Sequence, residues 1–334
     1  MNTEEHPTVI RYRQSEKVSS PDVIEKELLK KILHEAGADD AGFVEIDRKE
    51  LQMQKDDFLQ AFSGTKSLIS FVYRVNRFQF YSTDRSLADD EVIASESEME
   101  RISRSVVKKL REKGIGAVVP AEGFPQDMSK WPGKMWTLSH KPVAVEAGLG
   151  HMGHHRMLIH PVFGNYVGIG TILIDAALDD YDTPLDYNPC IECKLCVNVC
   201  PTGAICKDGT FQFFHCLVHA YRYRLGGFIN WIEDLITSNT MADYREKKSD
   251  KESLQIWQSL THGGGYHCGY CMSVCPAGDE VIGTYLDDKK GYIQSIVKGL
   301  QKKKENVYVL ADKDTEASIA KRFPDKIVKI VGKS

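Results

Sequence analysis

Apolar residues recur at helical spacing at Ile24, Leu28, Leu29, Ile32 and Leu33, behind Ser20-Pro21 and ahead of Gly37. Proline in a first turn and glycine just past the last one predict a capped amphipathic helix there. Ala41 to Ile46 then alternates as a half-buried strand does, and Leu51 to Phe62 returns to helical spacing. Ser67 to Val75 is apolar and β-branched enough to predict a buried strand. A long helix is predicted from Glu91 to Lys113, stopped by Gly114, and a strand from Ile115 to Val119, ended by Pro120. This alternation of helix and strand predicts an α/β (α+β) domain.

The stretch from Ala121 to His140 carries Gly123, Pro125, Pro132, Gly133, Trp131 and Trp136, and reads as an ordered loop, a place where function often resides. Its tryptophans either cover a flat ligand or pack on the core. Beyond a helix end at Pro142 to Ala147 comes Gly148-x-Gly150-x-x-Gly153, with Asp175 further on. Alone this matches a dinucleotide fingerprint, but the fingerprint needs a strand before it and a helix after it, whereas here a helix end precedes and the strand Tyr166 to Ile174 follows. The glycines would still let backbone come close to a ligand. His151, His154, His155 and His160 have no acidic or cysteine partners at metal-ligand offsets, so hydrogen bonding or proton delivery is their expected role. Further on, residues 217–267 read as a helical insert, and Val307 to Val331 as a strand-helix-strand tail.

The 334 residues are enough for two domains and their cores, and a net charge of −4 offers no basic field for nucleic acid, which is not expected as a partner. No apolar run is long enough to span a bilayer and the N-terminus lacks a secretion signal, so a cytoplasmic location away from membranes is expected. The cysteines change the picture. All nine lie between residues 190 and 275. Cys190, Cys193, Cys196 and Cys200-Pro201 have the C-x2-C-x2-C-x3-C-P spacing of bacterial ferredoxins, in which three thiolates meet one 4Fe-4S cluster and the fourth reaches a second. Cys268, Cys271 and Cys275-Pro276 form a second run that lacks its first cysteine, which Cys216 supplies. The expected ligand sets are Cys190, Cys193, Cys196 and Cys275 for one cluster, and Cys200, Cys216, Cys268 and Cys271 for the other. Zinc or disulfides would not explain a proline placed alike after both runs. Cys206 is left over as a buried, inert thiol.

Taken together, the helix-strand domain, Ala147-Gly148-Leu149-Gly150-x-x-Gly153, the Ile159-His160-Pro161-x-x-Gly164 step, the strand after it and the two cysteine runs resemble the reductive dehalogenase and epoxyqueuosine reductase superfamily. The resemblance covers most of residues 25–285 and is strongest from Pro142 to Ile205. It implies a nitroreductase-like domain (1–185) that holds cobalamin, a ferredoxin-like domain (186–285) with two clusters, and a tail (286–334). It also implies that Gly148, Leu149, Gly150, Gly153, Ile159, His160, Pro161 and Gly164 approach the cobalamin. His154, Arg156 and Tyr81 would act in catalysis, His154 or the tyrosine as proton donor. His154 stands where members carry lysine or arginine, and Lys134-Met-Trp-Thr stands where an epoxyqueuosine reductase places its acidic donor. The second departure argues against tRNA as substrate and for a small organic molecule, with electrons from a donor such as ferredoxin or flavodoxin. The alternatives are an electron carrier without catalysis of its own and a flavin-binding reductase.

Overall fold

The long apolar strand predicted at Ser67 to Val75 sits at the middle of a sheet because both its faces must be covered. In the computed structural model, which describes residues 3–15, 20–123, 125–127, 129, 135–223, 225–263, 266–310 and 313–331, ten strands occur. They are β1 (Val23–Ile24), β2 (Asp40–Glu45), β3 (Ser67–Arg74), β4 (Ala117–Val118), β5 (His151–Met152), β6 (Leu158–Ile159), β7 (Val167–Ile174), β8 (Ala177–Leu178), β9 (Asn306–Val309) and β10 (Ile327–Ile330). The main sheet has the order β2-β3-β7-β4, antiparallel throughout, with Ile69 opposite Ile172 and Phe71 opposite Gly170. Antiparallel pairing makes the domain α+β.

One face of this sheet, with Phe43, Ile69, Phe71 and Ile172, packs on Leu29 and Leu33 of the helix Lys26–Ala36 and on Ile102 and Val106 of the helix Arg85–Glu112. The other face, with Val44, Leu68, Val72 and Leu173, packs on Phe58, Val143 and Leu149. The first helix is shorter than its sequence signals. Val23 and Ile24 pair with β8 instead, and helix begins at Lys26, whose backbone N–H donates to Asp179 Oδ1 at 2.8 Å. A carboxylate from 153 residues away thus does the capping, and Ser20-Pro21 lies outside the helix.

The insert folds as the helices Phe213–Ala220, Leu225–Ile236, Met241–Lys247 and Asp250–His262, the last opened by a capping box between Ser249 and Glu252. In the tail, β9 and β10 run parallel, joined through the helix Lys313–Arg322. Among the described residues no helix is long and apolar enough to cross a membrane.

The turn after β6 meets the second cysteine run. Backbone N–H groups of Asp279 and Glu280 donate to the carbonyls of Pro161 and Val162, and Gly164 has φ +68° with its missing Cβ only 2.2 Å from the Ala277 carbonyl. A side chain at Gly164 would face both left-handed strain, about 1–2 kcal/mol, and a backbone clash. Gly164→Ala is therefore expected to destabilise the protein by about 3 kcal/mol. Urea melts within 0.5 kcal/mol of wild type would show that this junction yields freely.

Candidate functional site

The two cysteine runs fold alike because each repeats one local device. Lys194 and Gly269 follow the first cysteine of their C-x2-C-x3-C-P segments, and both take the left-handed conformation, with φ of 57° and 51°. Each opens a short helix, Leu195–Val199 or Tyr270–Ser273. The turn aims backbone N–H groups at sulfur: Leu195 donates to the Cys193 thiol, Tyr270 to Cys268 and Ala277 to Cys275. Hydrogen bonds of this kind help set the potential of a cluster whose sulfurs receive them.

In space the thiols sort into two groups. The Cys275 thiol interacts with Cys190, Cys193 and Cys196, and Cys271 with Cys268, Cys216 and Cys200. Cys271 also senses Cys196, so the groups lie side by side. Burial pushes the Cys196 and Cys216 thiols up to about 12, with neighbouring thiols adding to the effect. They stay protonated until a cation takes the proton's place. The first group lines a small cavity. Among the described residues no set of three His, Cys, Asp or Glu side chains converges to hold a single metal ion. Thiols spread around a volume suit an inorganic cluster better than one zinc ion. Cys206 belongs to neither group, and it is half-buried where full burial was expected; its carbonyl accepts a hydrogen bond from His154.

The hairpin β5–β6 carries the histidines to this cavity. Gly153 makes the room, since a Cβ there would lie 2.8 Å from the His155 ring. His155 Nδ1 accepts from the Met157 N–H at 3.1 Å, so the proton sits on Nε2, which is buried without a protein partner. Burial, then the nearby Lys141 and His154, pushes this imidazole down to about 4, and it is neutral at physiological pH. His155 and His154 both line the cavity of the first thiol group. His154, expected as a proton donor, is fully engaged: Nε2 donates to the Cys206 carbonyl at 2.8 Å and Nδ1 accepts from Lys194 Nζ at 3.0 Å. Arg156 is exposed at the hairpin turn with φ 66°, and what it offers inward is a carbonyl, 3.0 Å from Lys141 Nζ.

The residues expected around a cofactor serve the protein's own packing. Cβ atoms at Gly148 and Gly150 would come within 2.7 Å of the Thr183 carbonyl and 2.3 Å of the Ile159 carbonyl, while Leu149 and Ile159 are core. His160 stacks on Phe163, accepts the N–H groups of Val162 and Phe163 at Nδ1, and reaches Asp40 through Nε2 at 3.2 Å. With Pro161 and Gly164 it shapes the turn that docks on the second cysteine run.

Tyr81 packs edge-on against Tyr166, in one cluster with Val92, Met157 and Cys271, and also senses the Cys275 thiol of the first group. Burial raises its pKa, so the hydroxyl keeps its proton, with the Tyr166 hydroxyl beside it. Lys141, half-buried at the start of the helix His140–Glu146, faces Cys271 and Cys216 and is pushed down by desolvation. One acid had no sequence signal. Glu122 has a buried, unpartnered Oε1, which would lie 2.9 Å from a Cβ at Gly170. Burial, then Glu96 and Glu100, pushes it up to about 8. Glu96 and Glu100 reach it from the helix Arg85–Glu112. Trp136 donates to Ser139 at 2.7 Å; Trp131, Pro132, Gly133 and Lys134 lie outside the described residues.

Residues 183–206 match the family model of the 4Fe-4S binding domain. The epoxyqueuosine reductase of Aliivibrio fischeri is 32% identical over 117 residues, 35% of this chain and 29% of that protein. The epoxyqueuosine reductase of Staphylococcus aureus is 31% identical over 151 residues, 45% of this chain and 32% of that protein. The matches thus span about three tenths of these relatives' length. A reductive dehalogenase whose structure suggested a mechanism for B12-dependent dehalogenation shares the fold, with a TM-score of 0.51 and 13% identity over 86% of this chain and 39% of its own. An epoxyqueuosine reductase solved with an epoxyqueuosine-modified tRNA-Tyr stem loop has a TM-score of 0.46 and 18% identity over 75% of this chain and 64% of its own. The superfamily resemblance is borne out, by sequence toward the epoxyqueuosine reductases and by fold toward the dehalogenase. The expectation of a small-molecule substrate without nucleic acid is contradicted by the sequence relatives, which are epoxyqueuosine reductases.

Proposed function

We propose that this chain, a relative of the epoxyqueuosine reductases, is an iron-sulfur reductase that removes an epoxide oxygen from a queuosine-type nucleoside in tRNA. The substrate class follows the names of the relatives. The observation that carries the reading is the sorting of eight thiols into two groups, one from Cys190, Cys193, Cys196 and Cys275, the other from Cys200, Cys216, Cys268 and Cys271. Each group holds one 4Fe-4S cluster, a one-electron carrier. Domain limits at 1–185, 186–285 and 286–334 keep the clusters in the middle segment.

Buried polar groups of this chain offer partners for a corrinoid. Corrinoid amides need buried polar partners; Gln126 Oε1 is buried without one, and the Tyr81 hydroxyl is buried beside Tyr166. Tyr81, Gln126 and Lys141 would hold the cofactor, which when bound supplies carbon–oxygen bond cleavage. The chain's own task is the proton inventory. Losing an epoxide oxygen as water takes two electrons and two protons. A carboxyl at about 8 holds a proton at neutral pH and gives it up readily, which fits Glu122 for the donor role. Tyr81, raised by burial, holds its proton more tightly and suits orientation.

Anaerobic reconstitution followed by gel filtration with cobalamin or with flavin tests this reading. About eight irons, retained corrinoid and conversion of an epoxyqueuosine-modified tRNA stem loop are expected. Retained flavin, or no organic cofactor, would overturn the cofactor assignment, and an unchanged stem loop would overturn the substrate.

A further inference from the structure

The second thiol group draws its members from separate elements. Cys216 sits on the helix Phe213–Ala220, and Cys268 opens a turn about fifty residues later. Between them and the tail lies a continuous buried polar chain. His219, one helical turn after Cys216, accepts the Tyr308 N–H of β9 at Nδ1 (3.5 Å) and donates through Nε2 to Tyr266 Oη at 3.3 Å. Tyr266 Oη donates in turn to Glu305 Oε2 at 3.2 Å, and Tyr270 Oη donates to Glu305 Oε1. The two tyrosines flank Cys268, and the Tyr270 N–H also bonds its thiol. Lys326 Nζ closes the chain, 2.8 Å from Glu305 Oε1 and 3.1 Å from Tyr270 Oη. Arg85 comes to it from the other domain, its guanidinium 5.4 Å from the Tyr270 ring.

We propose that the C-terminal strand-helix-strand unit builds and tunes one cluster site: its Glu305–Lys326 pair clamps the Cys268 turn, holds the Cys216 helix against it, and sets the local field at that cluster alone. Glu305 and Lys326 are positioning residues that act through Tyr266, Tyr270 and His219. This rests on the reading of two clusters. A buried carboxylate near a cluster disfavours the added electron and a buried ammonium favours it, because charges interact strongly where water is excluded.

The test is redox titration of the reconstituted full chain, followed by electron paramagnetic resonance, with the relevant signal identified as the one absent from Cys268→Ser. Glu305→Gln is expected to raise that cluster's midpoint potential, and Lys326→Met to lower it. Each change should be about tenfold in the oxidised-to-reduced ratio, or about 59 mV for a one-electron couple. The double variant Glu305→Gln/Lys326→Met should return toward wild type. Mere loosening of the turn would move both single variants in the same direction, and that result overturns the proposal, as do unchanged potentials or equal shifts in both clusters. If Lys326→Met fails to fold, Glu305→Gln decides alone, only an upward shift confined to one cluster supporting the clamp. A wild-type count near four irons rather than about eight would instead show that the two-cluster reading is at fault.

Discussion

Cys196→Ser and Cys200→Ser are each expected to cost the reconstituted protein about four irons, but different ones. Only three residues separate these cysteines, and a chain that filled its sites in sequence order would lose one cluster in both variants. The fold directs them apart: Cys196 faces Cys193 and Cys190, while Cys200 is among the neighbours of Cys216 and Cys268. Removing Cys275 should then reproduce the Cys196 spectrum, and removing Cys216 the Cys200 spectrum. Serine is a poor match for the soft iron that thiolate binds, and a buried hydroxyl has little else to bond there. Spectroscopic loss of the same cluster in both variants would refute the crossed arrangement, whatever the iron count.

Glu122→Gln is expected to act on stability and on turnover with different pH dependences. The folded carboxyl is pushed to about 8, against an ordinary value of 4.5, first by burial and then by Glu96 and Glu100. Between those two values the native state binds more protons than the unfolded chain, so wild-type stability is full below the unfolded value and falls as pH rises through the folded one. Each unit of the shift corresponds to about 1.4 kcal/mol, so several kcal/mol are lost across the window. Glutamine does not ionise, and Glu122→Gln should match wild type near about pH 4.5 yet exceed it near about pH 8.5. Urea melts at both pH values measure this, and parallel curves would refute the raised pKa. Turnover moves the other way. If Glu122 supplies the proton, its loss should lower the rate about 10²–10⁴-fold with little change in substrate binding, and wild-type activity should itself decline above pH 8. A rate within a few-fold of wild type would pass the donor role to Tyr81.

Much of this arrangement was legible along the chain. The two runs of cysteines, their prolines and the odd Cys216 determined how many thiols each group would have, because a cluster motif is a local turn whose spacing is written in consecutive residues. The apolar stretch at 67–75 likewise announced a strand covered on both faces, and periodicity alone marked the strand-helix-strand tail.

The roles of the polar residues were decided in three dimensions. His154 reads as a proton donor in sequence, and only its contacts with Lys194 and the Cys206 carbonyl, 40 and 52 residues away, take its hydrogen bonds out of play. Gly148, Gly150 and Gly164 look like a ligand cradle, but backbone from Thr183, Ile159 and Ala277 fills the space they leave. Glu122 carries no motif at all; its acidity comes from lost water and from two carboxylates on a neighbouring helix. Local spacing therefore determined which thiols gather together, since those cysteines sit in repeated turns. Which groups hold protons, and which glycines merely make room, was settled by long-range packing, because desolvation and close approach depend on residues far apart in the chain.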